Sequence, residues 1–367
     1  MRHDRIPDRV EEASVAEAGL RRVPISILDL SPVSSGGTPT EALQSTIGLA
    51  QHAEALGYTR FWVAEHHNHP GIASSSPAVL IAAVAGATRT IRVGSGGVML
   101  PNHPPLVVAE QFGTLEGVYP GRIDLGIGRA PGTDPITARA LRRSVDGLTD
   151  EDFPQQLADL IGFLRGGLPD DHPLAPIRSV PRVDAVPPIW LLGSSGYSAQ
   201  VAGMLGLPFG FAHHFSARNT IPALDLYRRS FRPSAVLAEP YALVAVRALI
   251  AETDDEAEWL AGSSALSFLR LSQGRPGPVP TPQEAADHAW TDDERAVVAD
   301  RRAGQAVGSP DTVRQYFDEL LHACGANELM VTTLAHDSQV RVDTYTQVAR
   351  IFGPTPLVGL DGHSAIA

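Results

Sequence analysis

The sequence predicts a (β/α)8 barrel, a TIM barrel with an insertion after its seventh strand. Three observations carry that expectation. Eight short apolar segments alternate with eight helical stretches between residue 23 and about residue 352. A single compositional regime runs through them, with no linker of the kind that separates two domains. The segments also end in small, polar or His-rich stretches, as strands do when their carboxyl ends build a site. An open doubly wound sheet is the rival arrangement.

VPISILDL (23–30) is the first strand. Thr38-Pro39-Thr40-Glu41 is a capping box with Pro at the first helical position, and Leu43, Ile47, Ala50, Ala53 and Leu56 keep helical spacing until Gly57. RFWVAEHH (60–67) is the second strand, with a helix over 77–87, and RVGSGGVML (92–100) the third, with a helix over about 105–118. In GRIDLGIGRAPG (121–132), Ile123, Leu125 and Ile127 alternate with Asp124, Gly126 and Gly128, a fourth strand entering a packed centre and ending in an open loop. A polar connection (130–150) leads to a helix near 153–165, and a Pro-rich link follows. The fifth and sixth strands are PIWLLGSS (188–195) and PFGFAHHF (208–215), with helices over 197–205 and about 222–231. YALVAVRALIA (241–251) is the seventh. Residues 272–306, Gly- and Pro-rich and then charged, interrupt the rhythm and are placed to serve as a lid. Ser309-Pro310-Asp311 caps a helix through Cys324, ELMVTT (328–333) is the eighth strand, and the last helix ends near Phe352. The domain is thus residues 23–352, with a mobile arm over 1–22 and a loose tail over 353–367.

Several functions are set aside by composition. Net charge is −12 with no basic stripe, which argues against nucleic acid and anionic membrane surfaces. The single cysteine, Cys324, excludes a disulfide framework and fits a reducing, cytoplasmic compartment. Residues 1–22 lack the apolar segment of a signal peptide, and no apolar run is long enough for a membrane span.

The chemistry gathers at the strand ends. Arg129, just past the fourth strand, is a planar fork suited to phosphate or carboxylate. LLGSSGYSAQ (191–200) runs strand, small loop, helix, so Gly193, Ser194, Ser195, Gly196 and Ser198 form an anion cradle at a helix start. Gly96-Gly97 lies inside an apolar strand, where missing side chains admit either a kink or a flat ligand on the backbone. AEHHNHP (64–70) supplies Glu65, His66, His67 and His69, groups that shuttle protons near neutral pH or bind metal. A metal reading would join His67 and His69 to His213 or His214, although no acid is placed to complete the set. GIGRAPG has the wrong glycine spacing for a dinucleotide fingerprint. Taken together, a phosphate at Arg129 and the 193–198 cradle, a planar body near Gly96-Gly97 and His66 at the reacting end describe a flavin mononucleotide site.

From residue 23 to about 352 the chain resembles the bacterial luciferase-like flavin monooxygenases. The motifs are FWVAEHH (61–67), VGSGGVMLPNHP (93–104), GRIDLGIGRAPGTDP (121–135), LLGSSGYSAQVAGMLGLPFGFAHHF (191–215) and VGSPDTV (307–313). The resemblance implies the barrel fold, a homodimer and His66 as the catalytic histidine. It also implies a cis peptide at Gly96-Gly97 facing the flavin, and a phosphate held by Arg129 with Ser194, Ser195 and Ser198. Gly128 stands beside the flavin edge where luciferase has Cys, Ser194 replaces an acidic residue, and the pair His213-His214 is not a luciferase feature.

The implied reaction is a two-component monooxygenation. A separate flavin reductase supplies FMNH2, oxygen adds to form a flavin C4a-hydroperoxide, and a small organic substrate is oxygenated. An F420-dependent oxidoreductase on the same barrel is the alternative. A metal-dependent hydrolase and a non-catalytic flavin-binding protein lie outside it.

Overall fold

Strand β1 (Ile25–Asp29) is buried at every position, the mark of a parallel strand covered on both faces. The structure, a computed structural model, describes residues 20–130, 132–142 and 152–353. Most of the arm over 1–22, nearly all of the tail over 353–367 and parts of the connection over 130–150 lie outside the described residues. Helix α1 (Pro39–Ala55) starts at the capping box read from sequence. The Thr38 hydroxyl accepts from Glu41 N at 3.2 Å, and the Glu41 carboxylate accepts from Thr38 N at 2.8 Å.

The chain continues through β2 (Arg60–Val63), α2 (Pro77–Ala87), β3 (Arg92–Met99), α3 (Pro105–Val118), β4 (Ile123–Gly128), α4 (Pro135–Arg142), α5 (Phe153–Leu164), β5 (Ile189–Gly193), α6 (Gly196–Leu205), β6 (Phe209–Ala212) and α7 (Thr220–Ser230). It ends with β7 (Ala242–Ile250), α8 (Asp254–Ser272), α9 (Pro282–Ala286), α10 (Asp292–Arg302), β8 (Gln305–Gly308), α11 (Pro310–Cys324), β9 (Glu328–Thr332) and α12 (Ser338–Phe352). Strands β1 to β6 pair in order, β6 pairs with β7, β7 with β9, and β9 with β1, all parallel. That closes an eight-stranded barrel with helices between the strands. Gly206 and Gly325 end α6 and α11 in the left-handed conformation.

Two elements depart from the sequence reading, β8 and α4. Strand β8 is a ninth strand, pairing Gln305–Gly308 with Arg247–Ile250. It sits outside the closed barrel, where β7 outruns β9 and would otherwise expose a ladder edge. Helix α4 occupies part of the polar connection, started by Asp134, whose carboxylate accepts from Ile136 N and Thr137 N. In β4, Ile123, Leu125 and Ile127 face the helix layer, and Asp124 points inward.

Two apolar layers result, one between strands and helices and a smaller one inside the barrel around Leu28, Trp62, Trp190 and Met330. Beneath the inner layer lies a charged floor. Arg60 reaches Asp124 at 2.7 Å and Glu328 at 2.7 and 3.0 Å, and Trp62 Nε1 donates to Asp124 at 3.1 Å. Burial works to raise the pKa of Asp124, but the charges of Arg92 and then Arg60 hold it below the usual carboxylate range. Asp29 points out of the barrel, pairs with Arg341 and accepts from Thr46 at 2.6 Å. Among the described residues no helix is long and apolar enough to cross a membrane.

Candidate active site

Above the Trp62–Trp190 layer, the interior opens at the carboxyl ends of the strands into a cavity of about 310 Å3. Glycine makes this room. A Cβ on Gly96 would stand 2.5 Å from Leu28 Cδ1, and one on Gly97 would stand 2.7 Å from Leu192 Cδ1 and 2.8 Å from the Gly126 carbonyl oxygen. The Gly96–Gly97 peptide is cis, and the register between β3 and β4 shifts between Ser95 and Val98. Gly128 and Gly210 line the same space. A bare, flat stretch of backbone therefore faces an apolar chamber.

One wall of the cavity is built for an anion. Arg129 leaves β4 at the rim, and its guanidinium stacks on Tyr197 at 4.4 Å from the ring centroid. Tyr197 belongs to the first turn of α6, whose N-cap residue Ser195 is extended and makes no side-chain cap bond. The first N–H groups of a helix have no partner inside it, and here no capping side chain takes them. Gly193, Ser194, Ser195 and Ser198 line the cavity beside Arg129. Gly193 lets Ser198 approach, since a Cβ there would lie 2.7 Å from Ser198 Cβ. Gly196 opens α6 and does not line the cavity, so only its backbone N–H is placed to act.

Past the end of β2 stands His66, hydrogen-bonded to the Gly132 backbone in the loop that follows Arg129. It lines this cavity and a second of about 550 Å3, which continues under α8 and the 274–279 segment. Burial, and then neighbouring His69, pull its pKa below 6.5, so the imidazole is neutral near pH 7. Its neighbour Glu65 points the other way. Glu65 accepts from His67 Nε2 and His103 Nε2 at 2.9 Å each and from Met99 N at 3.0 Å. Burial works to raise its pKa, but these hydrogen bonds hold it at about 2. Glu65, His67 and His103 have ligand atoms within 4.8 Å of one another, a grouping different from the His67, His69 and β6 histidines considered from sequence. Glu65 thereby ties the β2 loop to the end of β3, which holds His66 in place.

The two histidines after β6 separate in role. His214 lines the cavity and bonds the Ala245 carbonyl oxygen through Nδ1 at 2.9 Å. His213 turns away, between Thr220 Oγ1 at 2.7 Å and Tyr316 OH at 2.9 Å. Burial lowers their pKa values to about 3 and about 4 respectively. Both are neutral when folded and take up a proton when unfolded below about pH 6.5, so stability falls as pH drops from there toward 4. His213→Gln should therefore lose less Tm than the parent between about pH 7 and about pH 4.5, read by thermal melts. Equal losses would show that His213 contributes nothing to this slope.

The luciferase-like monooxygenase family model matches residues 23–328. The chain belongs to that family. Among its relatives, YvbT of Bacillus subtilis is 48% identical over 328 residues, 89% of this chain and 96% of that one. A luciferase-like monooxygenase of Escherichia coli K12 is 44% identical over 325 residues, again 89% and 96%. The N-acetyl-S-alkylcysteine monooxygenase of Bacillus subtilis is 38% identical over 312 residues, 84% and 92%. The crystal structure of apo-MsnO8 superposes with a TM-score of 0.82 at 38% identity, covering 91% of this chain and 99% of that one. Fold alone is shared with an FMN complex of the oxygenating constituent of 3,6-diketocamphane monooxygenase from Pseudomonas putida, at TM-score 0.67 and 19% identity, covering 90% and 98%. The same holds for an F420-dependent secondary alcohol dehydrogenase, at TM-score 0.65 and 18% identity, covering 90% and 99%.

In this member of the luciferase-like monooxygenase family, nine of the ten residues singled out from sequence line one cavity: His66, Gly96, Gly97, Gly128, Arg129, Gly193, Ser194, Ser195 and Ser198. Arg247 of β7 lines it too and went unnoticed. The signal was present, a lone charge in the otherwise apolar YALVAVRALIA.

Proposed function

We propose that this chain is the oxygenating component of a two-component flavin monooxygenase, using FMNH2 from a separate flavin reductase and O2 to oxygenate a small organic substrate. One observation carries the reading. Arg129, the uncapped start of α6, the bare Gly96–Gly97 backbone and His66 all line one cavity. Reduced flavin, when bound, activates molecular oxygen for transfer of one atom to a substrate. Arg129 and the first N–H groups of α6 would hold the phosphate, with the serine hydroxyls beside them. Leu28, Trp62, Leu192 and Met330 wall the ring off from water, which protects reactive chemistry from leakage. The unprotonated ring nitrogen of His66, at the junction of the two cavities, is placed to accept a proton between cofactor and substrate.

Anaerobic titration with FMNH2, oxidised FMN and F420 tests this. FMNH2 should saturate one site per chain and bind more tightly than F420. Arg129→Ala should weaken FMNH2 binding by about 1.5–3 kcal/mol, the range for a charge-assisted hydrogen bond. Preference for F420 would overturn the monooxygenase reading in favour of hydride transfer. Unchanged affinity in the variant would remove the phosphate from Arg129.

A further inference from the structure

Three arginines are buried among the described residues: Arg60, Arg247 and Arg341. Arg60 holds Asp124 and Glu328, and Arg341 holds Asp29. Arg247, only 8% exposed on β7, pairs with no carboxylate among the described residues, and its buried Nε has no hydrogen-bond partner. Across the second cavity stands Arg301, in the last turn of α10. Its buried Nε is also without a partner, and its guanidinium lies between Phe268 at 4.3 Å and Phe215 at 5.1 Å from the ring centroids. Ser267 lines the same cavity with a buried hydroxyl that bonds nothing.

A buried charge without a counter-charge is costly, and two of like sign facing one space cost more. Each arginine responds to that environment. Burial, and then the charge of Arg301, push Arg247 down to about 9, and burial lowers Arg301. The one carboxylate among the described lining residues, Asp134, accepts from Asn68, Ile136 N and Thr137 and pairs with neither arginine, so the cavity offers the two guanidinium groups donors and aromatic walls but no counter-charge.

We infer that Arg247, Arg301 and Ser267 form a binding site for the carboxylate, or an equivalent oxyanion, of an organic-acid substrate. This deepens the proposed function, since it rests on the flavin occupying the neighbouring cavity. Phe215, Phe268 and Leu271 give the acid an apolar body to lie against. Arg247, His66 and Phe215 line both cavities, so an acid anchored here extends its oxidisable atom toward His66 and the cofactor. The arginines fix and select substrate and take no part in the chemical step.

The test uses the FMN-loaded protein with benzoate and benzamide, a matched anion and neutral amide, followed by thermal shift and calorimetry. Benzoate should bind about tenfold or more tightly than benzamide, and Arg301→Gln or Arg247→Gln should each remove most of that preference. Without any anion, Arg247→Gln should not lower Tm, because no carboxylate among the described residues pairs with the guanidinium it removes, whereas Arg301→Gln loses its stacking on Phe268 and Phe215 and is read by the benzoate-to-benzamide ratio alone. FMN affinity should be unchanged in Arg301→Gln, which does not line the cofactor cavity. Equal binding of benzoate and benzamide by the parent would overturn the inference. So would an Arg247→Gln variant that loses FMN while keeping the benzoate preference, since it would assign Arg247 to the cofactor. Benzoate preference in a protein that binds no FMN would leave the anion site standing and sink the flavin reading instead.

Discussion

Replacing His66 with alanine should reduce substrate oxygenation by about 10²–10⁴-fold, the usual contribution of a positioned acid–base group. The argument is positional first. His66 is the one histidine of the AEHHNHP segment that lines both cavities. Burial and His69 keep it neutral, the form that takes a proton. Removing it leaves Arg129 and the α6 start untouched, so FMNH2 affinity should persist. Oxygen should still be consumed, with hydrogen peroxide replacing oxygenated product. The measurement is product and peroxide formed per FMNH2 supplied. Parental coupling in His66→Ala would take this residue out of the reaction.

Arg60→Ala should destabilise the fold by about 3–5 kcal/mol, the cost of removing one partner from a buried ion pair. The magnitude follows from what remains. Asp124 and Glu328, both fully buried, would lose their bonds of 2.7, 2.7 and 3.0 Å, leaving Glu328 with no cation and Asp124 with Arg92 alone. The guanidinium also stacks within 4.9 Å of the Trp190 centroid and 5.9 Å of Trp62, and Trp62 lines the cavity. The loss therefore reaches the site through packing as well as charge. Urea unfolding reads it directly. A midpoint corresponding to less than about 1 kcal/mol of change would mean that the two carboxylates are relieved by protonation or by Arg92, which bonds Asp124 at 2.7 and 2.9 Å.

The barrel was legible in the sequence because its signals are local. The Thr38 capping box, the Ser309 cap and the glycines after α6 and α11 act within a few residues, through the backbone groups that helix ends leave open. Arg129 and the GSSG loop were legible as site residues for a similar reason. A charge or a small-residue run directly after a buried strand has one place to go in a barrel, the carboxyl rim.

Other features needed the folded chain. Strand β8 is four residues long and carries no pattern of its own; it exists because the end of β7 needs a partner. Helix α4 begins at an Asp134 cap within a stretch whose polarity reads as loop. Neighbouring residues such as His213 and His214 need not share surroundings, yet both faces of a barrel strand are covered. Hydrophobicity therefore could not say which of the two would meet the cavity. Alternation in β4 likewise left open which set faces in; the apolar residues face the helices and Asp124 points inward. The Arg247–Arg301 pair comes from a strand and a helix far apart in the chain, and each residue alone reads as ordinary. The eight barrel strands, most of their helices and the strand ends that carry chemistry follow from short-range backbone and side-chain forces written locally in the chain. Which side chains share a space, and which buried charges find partners, depends on distances that closure of the barrel creates.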